Sequence, residues 1–467
     1  MTVTDLATAL ADLAEPDAWQ PAPAPVPPDC LTGFAAWRAT AFPTPLGWAA
    51  TFDPALVHEL AAAVARSMTD VGVHQGQAPV LEVCRDPRWG RTEETLGEDA
   101  YLVDTLGAAY TAGLESGGVA VSARRREPDA VQPLRAPDLD SPWLRSLAAR
   151  MAERSIVLLE NDGLLPLPAP ASVAVVGPCA DEVRSLVASN AFPRRGPARV
   201  GAGRRVETLV QALRQEWPRA QMRCAAGVSA ERADVSGVPA AAALAASADV
   251  CVLAVGDVSG PFGVGTSGEG CDVGDLRLPG AQHELVEAVL ATGTPTVLVL
   301  LSGRPYALGE YVGRVGAIVQ AFFPGRLGAQ AVAGVLSGLV NPSGHLPVAI
   351  PTTRYGLGHG LSYTSFTLRD LTVDVDQVPA AGQVQARLLV TNDGGRRGED
   401  VVQLYVDRRL VGFARVPLAA GQTRELAFTL PAGEPGRFEL HAADTGGMVQ
   451  DGPTAQFAVV GPPRISG

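Results

Sequence analysis

The chain has little cysteine, few aromatics and too few basic residues for its acids, and these shortages narrow the functions open to it. Six cysteines (Cys30, Cys84, Cys179, Cys224, Cys251, Cys271) are scattered over 467 residues with no Cys-x-x-Cys pair. That spacing excludes a disulfide-stapled scaffold and a thiolate metal cage. It reads as reduced, mostly buried thiols in a cytoplasmic protein, with neither metal nor cofactor expected. Lys and Arg total 37 against 49 Asp and Glu, a formal net charge of -12. No basic face is available for phosphate contacts, so a nucleic-acid partner is not expected. The one dense basic run, Arg124-Arg125-Arg126, reads as a solvated loop. Apolar stretches are interrupted by Gly, Pro or charge before about 18 residues, so no membrane span is expected. The opening segment MTVTDLATALADLAEPDAW carries acids where a signal peptide would carry basic residues. The six histidines do not cluster with Ser or Cys, which leaves a hydrolytic triad unsupported.

What is present is globular. The composition is 47% hydrophobic and 18% charged, and the length predicts two to four domains. Residues 1–150 mix helical patterns such as PALVHELAAAVARSM with short apolar runs such as APVLEV, after a Pro-rich stretch at 20–30. From about 171 the rhythm becomes strand, helix, strand. SVAVVG, VETLVQALRQEW, AQMRCAA, VPAAAALAASA, DVCVLAVG, GAQHELVEAVLAT, TPTVLVLL and VGAIVQAFF follow one another. β-Branched runs alternating with amphipathic helices predict a parallel sheet covered on both faces. From about 366, short alternating runs separated by Gly, Pro, Asn and Asp predict an antiparallel β-sandwich.

Three motifs carry candidate chemistry. CRDPRWGRTEETLGED, Cys84 to Asp99, packs arginines, a Trp and several carboxylates behind a strand-like run. Arginine forks and carboxylates suit sugar hydroxyls and a Trp suits an apolar sugar face, while an internally paired loop uses the same residues structurally. GTSGEGCDVGDLRLPG, residues 265–280, places Glu269 among Gly265, Gly268 and Gly270, at the carboxyl end of a predicted strand where ligands of such sheets sit. Flanking Asp257 and Asp272 are close enough in sequence to raise a carboxyl pKa, as a general acid needs. YGLGHGLSYTSF, 355–366, reads as a packed seam in which His359 is structural.

Taken together these segments resemble glycoside hydrolase family 3, the retaining exo-β-glycosidases. RDPRWGR, MAERSIVLLENDGLLPLP, GTSGEGCD with LRLPGAQ, VLVLLSGRPYAL, IVQAFFPG, NPSGHLPVAIP and GHGLSYTSF occur in the family's order, over about 29–120 and nearly all of 150–460. The resemblance implies a multidomain α/β plus all-β fold. Its parts are an incomplete (β/α) barrel at 1–150, a linker at 151–170, an α/β/α sandwich with a mostly parallel sheet at 171–358, and a fibronectin type III-like β-sandwich at 359–467. It implies a β-glucoside or β-xyloside as partner, Glu269 as general acid/base, and Arg91 and Asp29 as substrate-binding residues.

The family's Lys-His pair and its Ser-Asp nucleophile segment have no counterpart. After GGVAV the chain runs through SARRREPDAVQPLRAPDLDSPW into the exit segment. An eight-stranded barrel with its helices takes at least about 200 residues, more than the 150 before the linker. Retaining hydrolysis needs a second carboxyl group about 5 to 5.5 Å from the first. Asp129, Asp138 and Asp140 lie in the replacing segment without family-like surroundings. Two functions stay open: hydrolysis through an unrecognised carboxylate or a partner subunit, or a non-catalytic carbohydrate-binding or scaffold role, with a chain that has lost function behind both. An exposed partial barrel would favour association into a homo-oligomer.

Overall fold

A computed structural model describes residues 29–36, 39–121, 138–188, 206–260, 263–443 and 452–460. Near the N-terminus three short parallel segments meet through isolated bridges, Asp29 to Gln77 and Gln75 to Ala120. The short helix α1 (Pro45–Ala49) and the long α2 (Pro54–Thr69) lie between the first two segments. Helix α3 (Ala100–Ser116) separates the second from the third. Both long helices start on an aspartate: Asp53 and Asp99 accept hydrogen bonds from the N–H groups of Leu56 and Leu102, at 2.9 and 3.1 Å. Pro54 follows Asp53 at the first helical position, where a missing N–H does no harm. The buried faces of α2 and α3 meet around Trp48, whose ring stacks on Tyr110 with centroids 4.8 Å apart.

Helix α4 (Pro142–Ser155), capped by Ser141, leads into β1 (Val157–Asn161). The apolar run Ile156–Leu159 is buried, so the segment at 151–170 supplies an edge strand to the central sheet. That sheet has the order β1-β6-β5-β4-β2-β3, where β2 is Ser172–Val176, β3 Gln221–Ala225, β4 Val250–Gly256, β5 Thr296–Ser302 and β6 Ala317–Phe322. All pairings are parallel except β1 with β6. Every residue of β4, β5 and β6 is buried, as the unbroken apolar runs require of strands covered on two sides. Helices α5 (Leu209–Glu216) and α8 (Gly328–Ser337) cover one face; α6 (Val238–Ala246) and α7 (Gln282–Leu290) cover the other.

The C-terminal strands are β7 (Phe366–Val373), β8 (Gln377–Pro379), β9 (Gln383–Asn392), β10 (Gly398–Val406), β11 (Arg409–Leu418), β12 (Thr423–Pro431), β13 (Gly436–Ala443) and β14 (Thr454–Val460). They form a five-stranded sheet, β11-β10-β13-β14-β8, packed on a three-stranded one, β12-β9-β7. Inward residues of β9 (Val384, Ala386, Leu388, Val390) meet Val402, Leu404, Val416 and Leu418 in one core. The other side of the larger sheet is also covered: Val401, Tyr405 and Leu410 belong to the core around Trp48, α2 and α3.

Arg415 on β11 joins the three regions. Its guanidinium donates to the Thr51 carbonyl from Nε (2.8 Å) and Nη2 (2.5 Å), to the carbonyl and hydroxyl of Ser343, and to Glu399 at 3.2 Å. Glu399 in turn pairs with Arg154 at 2.9 Å, and Arg154 with Asp53 at 2.8 Å. His359, at the same seam, stacks on Tyr355 and bonds the Leu159 carbonyl through Nε2 at 2.9 Å, a structural role. Replacing Arg415 with Met orphans buried carbonyl groups and leaves Glu399 short of a cation. R415M is expected to lose about 3–5 kcal/mol of stability in a urea titration.

Candidate active site

Strand β4 ends at Gly256 with Asp257, whose carboxylate turns back into the sheet. It accepts Thr266 Oγ1 at 2.7 Å, the Gly303 N–H at 3.0 Å and the Tyr306 hydroxyl. Thr266 N–H also bonds the Val258 carbonyl at 2.8 Å, and Ser259 bridges Ser267. The segment bearing Glu269 is therefore a loop with a tied stem. At its tip, Gly268 and Gly270 have φ of 115° and 82°, values open to glycine, and between them Glu269 is exposed. No hydrogen bond to its carboxylate occurs among the described residues, while Asp272 is committed to the Gly90 N–H at 2.7 Å. The two aspartates near Glu269 in sequence thus serve the loop's own architecture.

The second loop leads from Cys84 into a short 3-10 turn, Gly90–Glu94. Arg91 lies within it. Its Nε and Nη2 donate to Glu94 Oε2 at 3.0 and 2.6 Å, and its guanidinium sits 5.6 Å from the Trp89 ring centroid. Glu94 on one edge and Trp89 on one face orient the fork, and the side chain stays 39% exposed, so it is open to a ligand. Hydrogen bonding to Glu94 raises Arg91's pKa, and the charges of Glu269 and Glu82 add to the effect. Arg91 and Glu269 are brought together.

The connection is made by backbone and one buried cation. The Gly268 N–H bonds the Gly90 carbonyl at 3.0 Å and the Val273 N–H the Arg88 carbonyl at 3.0 Å. Arg304, fully buried just past β5, donates to the carbonyls of Arg88 (2.9 Å), Thr266 (3.1 Å) and Cys271 (2.7 Å). On the other side Ser267 Oγ donates to Glu93 Oε2 at 2.6 Å, and Glu93 has no exposed surface. Burial, the dominant cause, pushes the Glu93 carboxyl up to about 8, opposed by the Ser267 bond.

Asp29 stands on the first of the N-terminal parallel segments. It forms the first parallel bridge, accepts the Leu31 N–H at 2.9 Å, and bears electrostatically on Cys30 and Tyr110. Of the residues in the replacing segment, Asp140 is engaged by Arg326, by Arg145 at 3.2 Å and by Thr40 at 2.5 Å, while Asp138 is exposed. Asp129 lies outside the described residues. Among the described residues no group of three or more His, Cys, Asp or Glu could hold a metal ion. Sequence reasoning passed over Arg304, Glu93 and Ser267. A charged residue two positions after an all-apolar strand signals Arg304; nothing in Glu93-Glu94 says which glutamate turns inward.

An exposed carboxylate at the carboxyl end of a doubly covered parallel sheet, beside an oriented arginine, stands where α/β proteins of this class hold their ligands. The family model for the glycosyl hydrolase family 3 C-terminal domain matches residues 156–387, and that for the family 3 N-terminal domain matches 2–125. A β-xylosidase of Formosa agariphila is 31% identical over 334 residues, 61% of this chain and 44% of its own length. A periplasmic β-glucosidase of Salmonella typhimurium is 28% identical over 388 residues, 66% of this chain and 49% of its own length. The chain thus spans about half the length of these curated relatives. Among solved structures, a β-glucosidase involved in saponin metabolism from intestinal bacteria superposes with a TM-score of 0.82 at 22% identity, covering 98% of this chain and 94% of that one. The β-glucosidase of Listeria innocua in complex with isofagomine gives 0.78 at 20% identity, with 93% and 88% covered. The chain belongs to glycoside hydrolase family 3.

Two outcomes follow for the loop junction. Arg304→Met leaves three carbonyls without their donor, and a loss of about 3 kcal/mol or more is expected in urea, with new proteolytic cleavage within 257–272. For Glu93 the folded-state pKa lies above its ordinary 4.5, so the fold holds a proton that the unfolded chain releases. The associated stabilisation is complete below pH 4.5 and is lost as pH rises to about 8. Relative to Glu93→Gln, which does not titrate, the unmodified protein should lose urea resistance between pH 5 and pH 8.5.

Proposed function

We propose that the chain is a retaining β-glycosidase of its family, acting on β-glucosides or β-xylosides, with Glu269 as general acid/base. The observation that carries this reading is the meeting of two loops that leaves Glu269 exposed in the field of Arg91. In the protonated form Glu269 gives its proton to the glycosidic oxygen as the C1–O bond breaks; as carboxylate it then takes a proton from the water that releases the sugar. Arg91, positioned by Glu94 and Trp89, holds sugar hydroxyls through its free N–H groups, and Asp29 binds the same substrate from the N-terminal segment. The names of the two relatives, a β-xylosidase and a β-glucosidase, support this substrate class.

The retaining reaction also needs a nucleophilic carboxylate that forms a bond to C1. Glu94 and Glu82 both act on Arg91, and Asp140 is held in ion pairs. Trapping with a 2-fluoro sugar followed by peptide mapping identifies the residue. The same reading divides the chain at about 150, 170 and 358. Its N-terminal region is a shortened barrel, supported by three parallel segments with helices between them. Its C-terminal sandwich is of fibronectin type III type, supported by the five-on-three sheet arrangement. Six unpaired cysteines favour a reducing, cytoplasmic setting, and the bridged parallel segments offer an edge for self-association.

The test compares the protein with Glu269→Ala on substrates of graded leaving-group ability. Loss of a general acid should lower kcat/KM about 10²–10⁴-fold for a disaccharide or alkyl β-glucoside, and much less for a dinitrophenyl glycoside, whose leaving group needs no proton. Equal loss on both substrates, or none, removes Glu269 from the role.

A further inference from the structure

Glu93 is buried, carries a carboxyl group, and is left unused by the chemistry above. It sits two residues after Arg91 in the same 3-10 turn, and its hydrogen-bond partner Ser267 sits two residues before Glu269. Both side chains have no exposed surface. The Ser267–Glu93 bond, 2.6 Å long, is thus a side-chain link between the turn that orients Arg91 and the loop that presents Glu269. Its fit is close: a Cβ on Gly303 would lie 2.1 Å from Ser267 Oγ and 2.4 Å from Glu93 Oε2. The second oxygen, Oε1, is buried and finds no hydrogen-bond partner.

We propose that Glu93 is a positioning residue for Glu269: through Ser267 it latches the 263–272 segment in its working place while it is neutral, and releases that segment when it ionises. The inference rests on the general acid/base reading of Glu269. The charges that face Glu93 are Glu94 on its own turn, Asp257 at the end of β4 and Arg304 after β5. Two carboxylates against one guanidinium disfavour a third anion, and the absence of solvent does the same. The neutral acid offers an oxygen to the Ser267 hydroxyl without burying net charge. Ionised, Glu93 brings a negative charge next to Asp257 and Glu94 and draws water into the junction. The latch is then tightest in acid and loosens progressively as pH rises to about 8.

Hydrogen-exchange mass spectrometry reads the latch without reference to activity. Peptides covering 263–272, corrected for intrinsic exchange, should be protected at pH 6 and lose protection through pH 8 in the unmodified protein. In Glu93→Gln, which keeps the acceptor and cannot ionise, protection should stay flat across that range. In Ser267→Ala and Glu93→Ala it should be lost at pH 6, with the rest of the central sheet still protected. The kinetic arm uses a disaccharide or alkyl β-glucoside at pH 6. Glu93→Ala should lower kcat about tenfold or more with little change in KM, as expected for a misplaced catalytic group, and Glu93→Gln should restore most of it. On a Glu269→Ala background the Glu93→Ala loss should vanish, since the two act as one unit. Protection that is pH-independent in the unmodified protein, or unchanged in Ser267→Ala, overturns the latch. A full Glu93→Ala loss on the Glu269→Ala background overturns its action through Glu269. If the unmodified protein hydrolyses no β-glycoside, the catalytic reading fails, and the exchange data decide the latch separately.

Discussion

The buried guanidinium of Arg304 is the constraint on which the site depends. It stands where two loops from distant parts of the sequence must meet, and it binds a carbonyl of one and two of the other. A planar group with several fixed donors suits this work, because it can satisfy carbonyls on both loops at once. The chain contains no lysine, so every non-histidine cation available for such a task is arginine. Asp257 stands nearby and ties Thr266, Gly303 and Tyr306 to the same strand ends. The exposed residues, Arg91 and Glu269, can be few and lightly supported because the layer under them is dense with bonds.

The same device recurs at the seam between the three regions. Arg415 and Arg154 hold carbonyls and carboxylates of the segment leading into α2, the central α/β region and β10 in one cluster. Each guanidinium is surrounded by groups that would be costly to leave unpaired, so the relative placement of the regions is set by polar geometry on top of apolar contact. This suits a protein whose N-terminal region is small. Three parallel segments joined by single bridges make a weak sheet, and helices α2 and α3 bury their apolar faces partly against β10 and β11 of the sandwich. The sandwich therefore completes the N-terminal core as well as its own.

Much of the architecture was legible as pattern. Unbroken apolar runs such as VCVLAVG and TVLVLL can be accommodated only where both faces are covered, and the structure covers them with helices at the positions the amphipathic segments imply. The segment at 151–170 illustrates the opposite case. Its run SIVLLEN resembles a connector because of its place in the chain, and it becomes an antiparallel edge strand because Ile156–Leu159 have to be buried against β6. The C-terminal alternation of β9, buried and exposed by turns, was equally plain.

The site was legible only in outline. The residue types around Arg91 and Glu269 carry their chemistry on the surface of the sequence, and strand ends are where such sheets keep ligands. Which of two adjacent glutamates turns inward is a different kind of question. Glu93 is enclosed by Ser267 and Gly303, and Glu94 pairs with Arg91, because the 3-10 turn points successive side chains in different directions against a loop some 175 residues away. Local pattern determines helices, strands and the faces they bury, since those depend on neighbours a few positions apart. The pairing of the two loops, the burial of Arg304 between them and the raised pKa of Glu93 belong to tertiary structure alone. They arise from desolvation and from charges that meet only once the chain has folded.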